Sequence, residues 1–549
     1  MHLAPSTAWA WLIACAVVIL LFPLAAQFGN FKGKLSSFRT WVWAIALLGI
    51  VTAGFMPFTF DTDIANFEVQ PFIFFITGTL LGVLFLGEFH RMNAQKKLKH
   101  PQRVHAERRT RYSKAVEQLA YPNPAVRASA ISTLAGLVDE WLADEQLSVE
   151  ARQKEGQVIV NALCAYVRSP FARAFKADAF DSDAPPANYA GDFATDLAAF
   201  RGEQDVRRSV FVEMSKRSST LAENEKGEVA VVPGAWSGFE FDFSRAVIFY
   251  PLDGLTIENA DFSAARFCNG SDFSGAAFVG TVDFSRATFG ETAGFGDATF
   301  AGDANFTRAV FDQDARFSDV TFMGTADFSN TRFAGDAFFR WVAFSSNADF
   351  REASFGGHAD FRDTTFAADA GFSGASFEGN AGFFRSSFGG NASFFRTDFA
   401  GVAEFREAVF EGHAGFNAAT FYGDAHFSRA TFEGLAGFRD VTFKAGAEFY
   451  GASFMQTADF CDVSFVKSPP VFAVEDADSG EMRRARFAAL SAGQEAHNFA
   501  VYEDSLPIPL GTAGLSSVGY SIPVGTVLFD PASWDERQKE YTRLSEPAQ

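Results

Sequence analysis

At 549 residues the chain exceeds what one compact core can organise, so several regions are expected unless part of it grows by stacking. Its net charge of −20 argues against direct nucleic-acid binding, which needs a basic surface to displace counterions. The four cysteines, Cys15, Cys164, Cys268 and Cys461, lie far apart with no CxxC spacing, so neither a metal knuckle nor a disulfide framework is indicated.

From Met1 to Phe31 there is no Lys, Arg, Asp or Glu, and residues 8–26 are long enough to cross a bilayer at about 1.5 Å per residue. Residues 41–58 and 70–87 are two further apolar stretches, so 1–90 is expected to be a transmembrane anchor of three helices. A cleaved signal peptide is the competing reading, but the basic n-region is missing. The first loop carries Lys32, Lys34 and Arg39, the second Asp61, Asp63 and Glu68. Basic loops stay on the cytoplasmic side, which predicts a multi-pass cell-membrane protein with residues 91–549 cytoplasmic. The basic run from Arg91 to Arg111 is then an orientation signal with secondary contact to anionic membrane lipid. No span contains a charge, as a transport path would require.

Residues 91–177 continue from this run into a helical module. Asn123 before Pro124 is a cap and first-turn pair, and Val126, Ile131, Leu134, Val138 and Trp141 follow at helical spacing. Ser148 is placed to cap the next helix, which carries Val158, Leu163 and Val167 and stops at Pro170. Residues 178–233 read as a linker followed by a helix near 193–221. Residues 234–257, where the phenylalanines lose strict register, read as an N-terminal cap.

Phenylalanine then recurs from Phe262 to Phe465 at alternating spacings of five and six, 38 times without a miss. The unit is eleven residues, as in VDFSRATFGET from Val282 or ADFREASFGGH from Ala348. Two positions before each Phe stands a small or β-branched residue, so both share one face of a strand and point inward. One unit cannot enclose its own phenylalanines, whereas units wound on one another bury a continuous aromatic column. Gly280, Gly302, Gly335, Gly379, Gly412 and Gly434 fall at the extra residue of the longer spacing, where glycine is expected to supply the dihedrals of a corner bulge.

The array resembles the pentapeptide-repeat superfamily, whose motif is A(D/N)(L/F)xx. The resemblance implies a right-handed quadrilateral β-helix over residues 258–466. Four sides of 5+6+5+6 residues make a coil of 22, giving nine to ten coils and a rod about 45 Å long. A flattened two-sided coil of eleven fits the same spacing. The fragments RYSKAVEQL, AVRASAISTLAGLV and VNALCAYVRSPF resemble the HEAT-like helical module of membrane-anchored, actinobacterial pentapeptide-repeat proteins, although ASAISTLAG after Arg127 departs from the Gly-Gly-x-Tyr-Ala-Leu those relatives carry. The predicted fold is therefore mixed: transmembrane helices, helical module and solenoid. Residues 467–549 are expected to cap the far end and trail off as a polar tail near Glu546.

Catalytic motifs such as GxSxG, Walker A, HExxH or a dinucleotide fingerprint are absent from the sequence, so no enzyme, cofactor or metal site is assigned. Outward Asp261, Asp327, Asp349, Asp360 and Asp459 alternate with Thr288, Thr365, Thr420, Thr431 and Ser453, and read as solvated surface. His358, His413 and His426 have no second ligand at fixed spacing. Arg286, Arg308, Arg351, Arg362, Arg406, Arg429 and Arg439 are placed to pair with neighbouring acids. The favoured function is a non-catalytic, membrane-anchored scaffold whose helical module is a spacer and whose acidic rod docks a protein partner. The alternative is a DNA mimic acting on a topoisomerase such as gyrase, since residues 258–465 hold 28 acidic against 14 basic side chains.

Overall fold

The computed structural model describes residues 69–223, 229–268, 272–476, 480–490, 496–515, 518–537 and 540–549. Two compact units, 1–111 and 112–549, divide the chain. Helix α1, Val69–Gln118, begins in the first and ends in the second.

The expected spans at 8–26 and 41–58 lie outside the described residues. The third, 70–87, is the head of α1, and among the described residues no helix is long and apolar enough to cross a membrane. A span needs about 20 predominantly apolar residues. Here Gln70 and Pro71 open the stretch, Thr77, Gly78, Thr79 and Gly82 interrupt it, and Glu88 closes it in an ion pair with Arg91 at 3.5 Å. The helix then continues through the basic run without a break. The three-helix anchor, and the multi-pass membrane location inferred from it, are therefore overturned.

In the second unit α2 (Pro124–Leu142) starts at Asn123, whose side chain accepts the Ala125 N–H. Helix α3 (Val149–Arg168) starts at Ser148, which accepts from Ala151, and α4 (Phe193–Ser215) starts at Asp192. These three helices share one buried core with the coils that follow. Phe211 of α4 lies 4.6 Å from Phe243, ring to ring. Gln204 and Arg208 donate to the carbonyls of Phe249 and Pro251 at 2.6 and 2.9 Å, and Gln157 of α3 exchanges two hydrogen bonds with the Glu240 backbone. The helices thus cover the first coil directly. They do not act as a spacer. Regular strand pairing already begins at Phe241, inside the stretch expected to be the cap.

The solenoid has four faces. Taking one coil as the example, face 1 is the strand Ala348–Asp349, face 2 Ser354–Phe355, face 3 Ala359–Asp360 and face 4 Thr365–Phe366. Each strand pairs in parallel with the one 22 residues on, as Ala348 with Ala370 and Ser354 with Ser376. The sheets hold 11, 11, 8 and 12 strands on faces 1 to 4. A two-sided coil of eleven residues would pair Ser354 with Thr365, which stand on different faces. The four-sided coil is the observed one.

All 38 phenylalanines of the array are at most 2 % exposed. Equivalent rings stack between coils, Phe350 on Phe372 at 4.9 Å and 1°, while rings of faces 1 and 3 meet edge to face, Phe339 and Phe350 at 5.4 Å and 88°. Both are the geometries an aromatic quadrupole favours. The small column is buried beside them, and where it is threonine the hydroxyl is satisfied internally: Thr331 donates to the Phe306 carbonyl and Thr397 to that of Phe372, at 2.7 and 2.8 Å.

The corner glycines have a different cause from the one expected. None of them has a positive φ. A Cβ on Gly412 would stand 2.3 Å from the Gly390 oxygen, and one on Gly379 2.4 Å from that of Gly357. Glycine is required there because successive coils nearly touch. The positive φ values fall instead on the turn after each Phe of faces 1 and 3, at residues such as Arg308 (59°), Glu352 (56°) and Asp363 (56°). That is the third position of a type II turn, closed for example by Ala353 donating to the Phe350 carbonyl.

Beyond Phe465 the strands Arg486–Ala488 and Val527–Phe529 extend face 4, while Val471 and Asn498 pair with the last strands of faces 3 and 1. The C-terminus does not trail away. Ala548 is buried and exchanges backbone hydrogen bonds with Gly525 and Thr526.

Candidate docking surface

Three kinds of outward position repeat on faces 1 and 3: the residue before Phe, the residue after it, and the left-handed turn residue. The first does structural work wherever it is acidic or Asn. Asp261, Asp283, Asn305, Asp327 and Asp349 each accept, through Oδ1, the backbone N–H two residues on, at 2.7 to 2.9 Å. The aspartates read as solvated surface are therefore the caps of the turns. The alternation of Asp and Thr expected from spacing resolves into four faces. Asp261, Asp327, Asp349 and Asp459 stand on face 1 and Asp360 on face 3, while Thr288 and Thr420 stand on face 2 and Thr365, Thr431 and Ser453 on face 4.

The histidines separate likewise. His358 accepts the Asn380 N–H on Nδ1 at 3.0 Å, and His413 accepts that of Leu435 at 3.0 Å. They belong to corner ladders in which Asp, Asn or His caps the N–H one coil on, as Asp369 caps Asn391 and Asn380 caps Val402. His426 instead pairs with Glu448 at 2.8 Å. Among the described residues no group of His, Cys, Asp and Glu could hold a metal ion. Burial pushes the Cys164 thiol up to about 12, so it is not a nucleophile at neutral pH.

The charges are unevenly spread. On face 1 a shallow groove of about 460 Å³ runs along Asp283, Ser285, Arg286, Thr307 and Arg308. Arg286 and Arg308 have no ion pair there among the described residues, contrary to the pairing expected of them. On face 3 the arginines are clamped. Asp360 takes Arg340 at 2.5 Å and Arg362 at 2.6 Å, Glu404 takes Arg406 at 2.6 Å, and Glu407 takes both Arg385 and Arg429. Burial alone would raise the Asp360 carboxyl, but the hydrogen bonds from Arg362 and Arg340 outweigh it and hold the group below its ordinary 3.8.

Phe395, with Arg396 5.0 Å from its ring, departs from the array on face 1, but several such aromatic residues gather on face 3. Phe338 is its outward strand residue, Trp341 follows at the turn and is 55 % exposed, and Phe384 stands two coils beyond Arg340 in the same column. Arg340 lies 5.9 Å from the Trp341 ring and Arg385 lies 4.8 Å from that of Phe384. The signal was in the sequence as doublets, since AFFRW and GFFRS each hold one phenylalanine outside the five-and-six spacing. Trp341 has φ = 56°, a left-handed value that a bulky side chain rarely adopts.

Residues 284–332, 319–365 and 394–442 match the family profile "Pentapeptide repeats (9 copies)". The coils are pentapeptide repeats. The match falls within the array of stacked phenylalanines, and in this pentapeptide-repeat solenoid two repeats make the eleven-residue unit. Neither a curated protein nor a solved structure matches the chain.

Proposed function

We propose that the protein is a non-catalytic scaffold whose pentapeptide-repeat solenoid docks a protein partner on face 3. The observation that carries this is Trp341: a large exposed aromatic held in a left-handed turn, flanked by Phe338, Phe384 and a set of immobilised arginines. Exposed tryptophan and arginine are the side chains that most often dominate protein interfaces. Arginines already fixed by Asp360, Glu404 and Glu407 lose little conformational freedom on binding.

The test is affinity capture with the immobilised full chain in three forms: wild type, Trp341→Ala with Phe384→Ala, and Arg308→Ala on face 1. A partner retained by wild type and Arg308→Ala and lost with the aromatic pair supports the reading. Equal retention by all three removes it. The DNA-mimic reading draws on the column of Asp261, Asp283 and Asp327, which have no ion pair among the described residues. It requires the protein to inhibit gyrase supercoiling, with inhibition relieved when these three are reversed to lysine.

A further inference from the structure

On face 1 the N–H of each inward alanine donates to a backbone carbonyl one coil on, as Ala414 does to Leu435 at 2.9 Å and Ala436 to Thr457 at 3.0 Å. Ala458 opens the last strand of that face, and its N–H donates to Nδ1 of His497 at 3.1 Å. An imidazole has taken the place of the next coil's carbonyl. The other ring nitrogen, Nε2, lies 3.0 Å from the Ala488 carbonyl, which accepts its proton. These two bonds together require the neutral ring with the hydrogen on Nε2. Phe487 packs edge-on against it at 5.2 Å, and Phe499 lies at 6.3 Å.

We propose that His497 is an acid-sensitive latch on the C-terminal end of the solenoid. Protonation turns Nδ1 from an acceptor into a donor, so that two N–H groups face each other and the Ala458 bond is lost. The segment that follows rests on the same coil through a short row of backbone bonds: Asn498 with Ala458 and Phe460, Tyr502 with Val463, and Leu506 with Phe465. Release of this row bares the edge of the last strands of faces 1 and 2, and an uncovered strand edge is a template for another strand.

The direction with pH follows from the burial of the ring. Enclosure between Phe487 and Phe499 disfavours the charged form and holds the imidazole below its ordinary 6.5, although the Ala488 bond acts the other way. The latched ring therefore binds a proton less readily than the released one. Its contribution is complete above about pH 6.5 and is lost as pH falls from there through the latched ring's lower value. Among the described residues no charged side chain hydrogen-bonds to the ring. Asp459 pairs outward with Arg439 at 3.0 Å, and Arg486 is exposed on the outer side of its strand.

Hydrogen exchange on the full chain, read by mass spectrometry at about pH 7.5 and about pH 5.5 and corrected for intrinsic rates, tests this. Protection of peptides covering 456–465 should fall in the wild type by up to about tenfold per pH unit below 6.5. It should not do so in His497→Gln, whose side chain offers an acceptor that does not titrate. The same pH dependence in both proteins, or none in the wild type, overturns the latch. If the glutamine variant loses the cap outright, nitrogen NMR of the wild-type ring decides. Nδ1 must be the unprotonated nitrogen at neutral pH and must gain its proton as Ala458 loses protection; a hydrogen on Nδ1 at neutral pH overturns the proposal.

Discussion

Ser354 and Ser376 stand side by side on neighbouring strands of face 2, in register and 22 residues apart. Their Cα atoms are separated by about 4.8 Å, the distance between adjacent strands and within the range a disulfide spans. Cysteines at 354 and 376 should therefore cross-link under mild oxidation, read as a mobility shift after proteolysis. The pair 354 and 365 sits on two different faces and should not. Cross-linking of the second pair in preference to the first would be incompatible with a 22-residue coil.

Gly412 tests the contact between coils. Its added Cβ would meet the Gly390 oxygen at 2.3 Å, whereas one on Gly290 would meet nothing closer than 3.6 Å. Gly412→Ala should cost about 1–3 kcal/mol through forced separation of the backbones. Gly290→Ala, where a methyl has room, should be near neutral. Urea denaturation of the two variants gives the comparison, and similar costs would mean that the corner yields.

Much of the solenoid was legible because its signal is one-dimensional. Each Phe has the same neighbours 22 residues away, so spacing in the sequence is spacing in the core. The role of the corner glycines was not, because a clash between Gly390 and Gly412 depends on backbone separation that no single coil reveals. The turn-capping role of Asp283 or Asp349 was obscured for a related reason: a repeated Asp on a solvated face looks the same whether its Oδ1 holds an N–H or only water. The third expected span, Gln70–Gly87, is the head of a helix that continues to Gln118, a continuity that an apolar run taken by itself does not reveal. The doublet at Phe338 and Phe339 was visible as an exception to the spacing, but its outward partner Trp341 follows no repeat and only the fold places it.

Phe361 and Arg362 are sequence neighbours on opposite sides of the wall. Phe361 is fully buried and stacks at 4.8 Å on Phe339 and 4.9 Å on Phe383. Phe361→Ala should cost about 3–5 kcal/mol, since rigid coils collapse poorly around the cavity. Arg362→Ala leaves Arg340 on Asp360 and should cost about 1 kcal/mol or less. Chemical denaturation midpoints at constant m-value distinguish the two.

Asp360 should make part of the stability depend on acid. Its carboxyl is held below the ordinary 3.8 in the folded state, so the unfolded chain binds its proton first as pH falls. The contribution is complete above the unfolded value, about 3.9, and is lost as pH falls through the lower folded one. The stability gap between wild type and Asp360→Asn should be widest near neutral pH and narrow as the solution is acidified towards pH 3. A gap that is constant over that range would show that the two arginines do not stabilise the charged form.

Ala418 and Ala419 are adjacent alanines for which the fold predicts opposite responses to the same substitution. Ala418 is the left-handed residue of its turn, with φ = 58°, where a Cβ costs roughly 1–2 kcal/mol and glycine adopts the conformation freely. Against that gain stands the larger entropy glycine loses on folding, roughly 0.5–1 kcal/mol. Ala418→Gly should therefore stabilise the solenoid by about 0.5–1 kcal/mol. Ala419 points inward, is 1 % exposed and has an ordinary negative φ, so its methyl is part of the packing around Phe416 and Phe421. Ala419→Gly removes that methyl and adds the same entropy cost, and should destabilise by about 1–2 kcal/mol. Thermal unfolding of the two variants side by side needs no absolute calibration, because the midpoints should move in opposite directions. Movement in the same direction would mean that the type II turn after Phe416 is not the conformation the chain adopts.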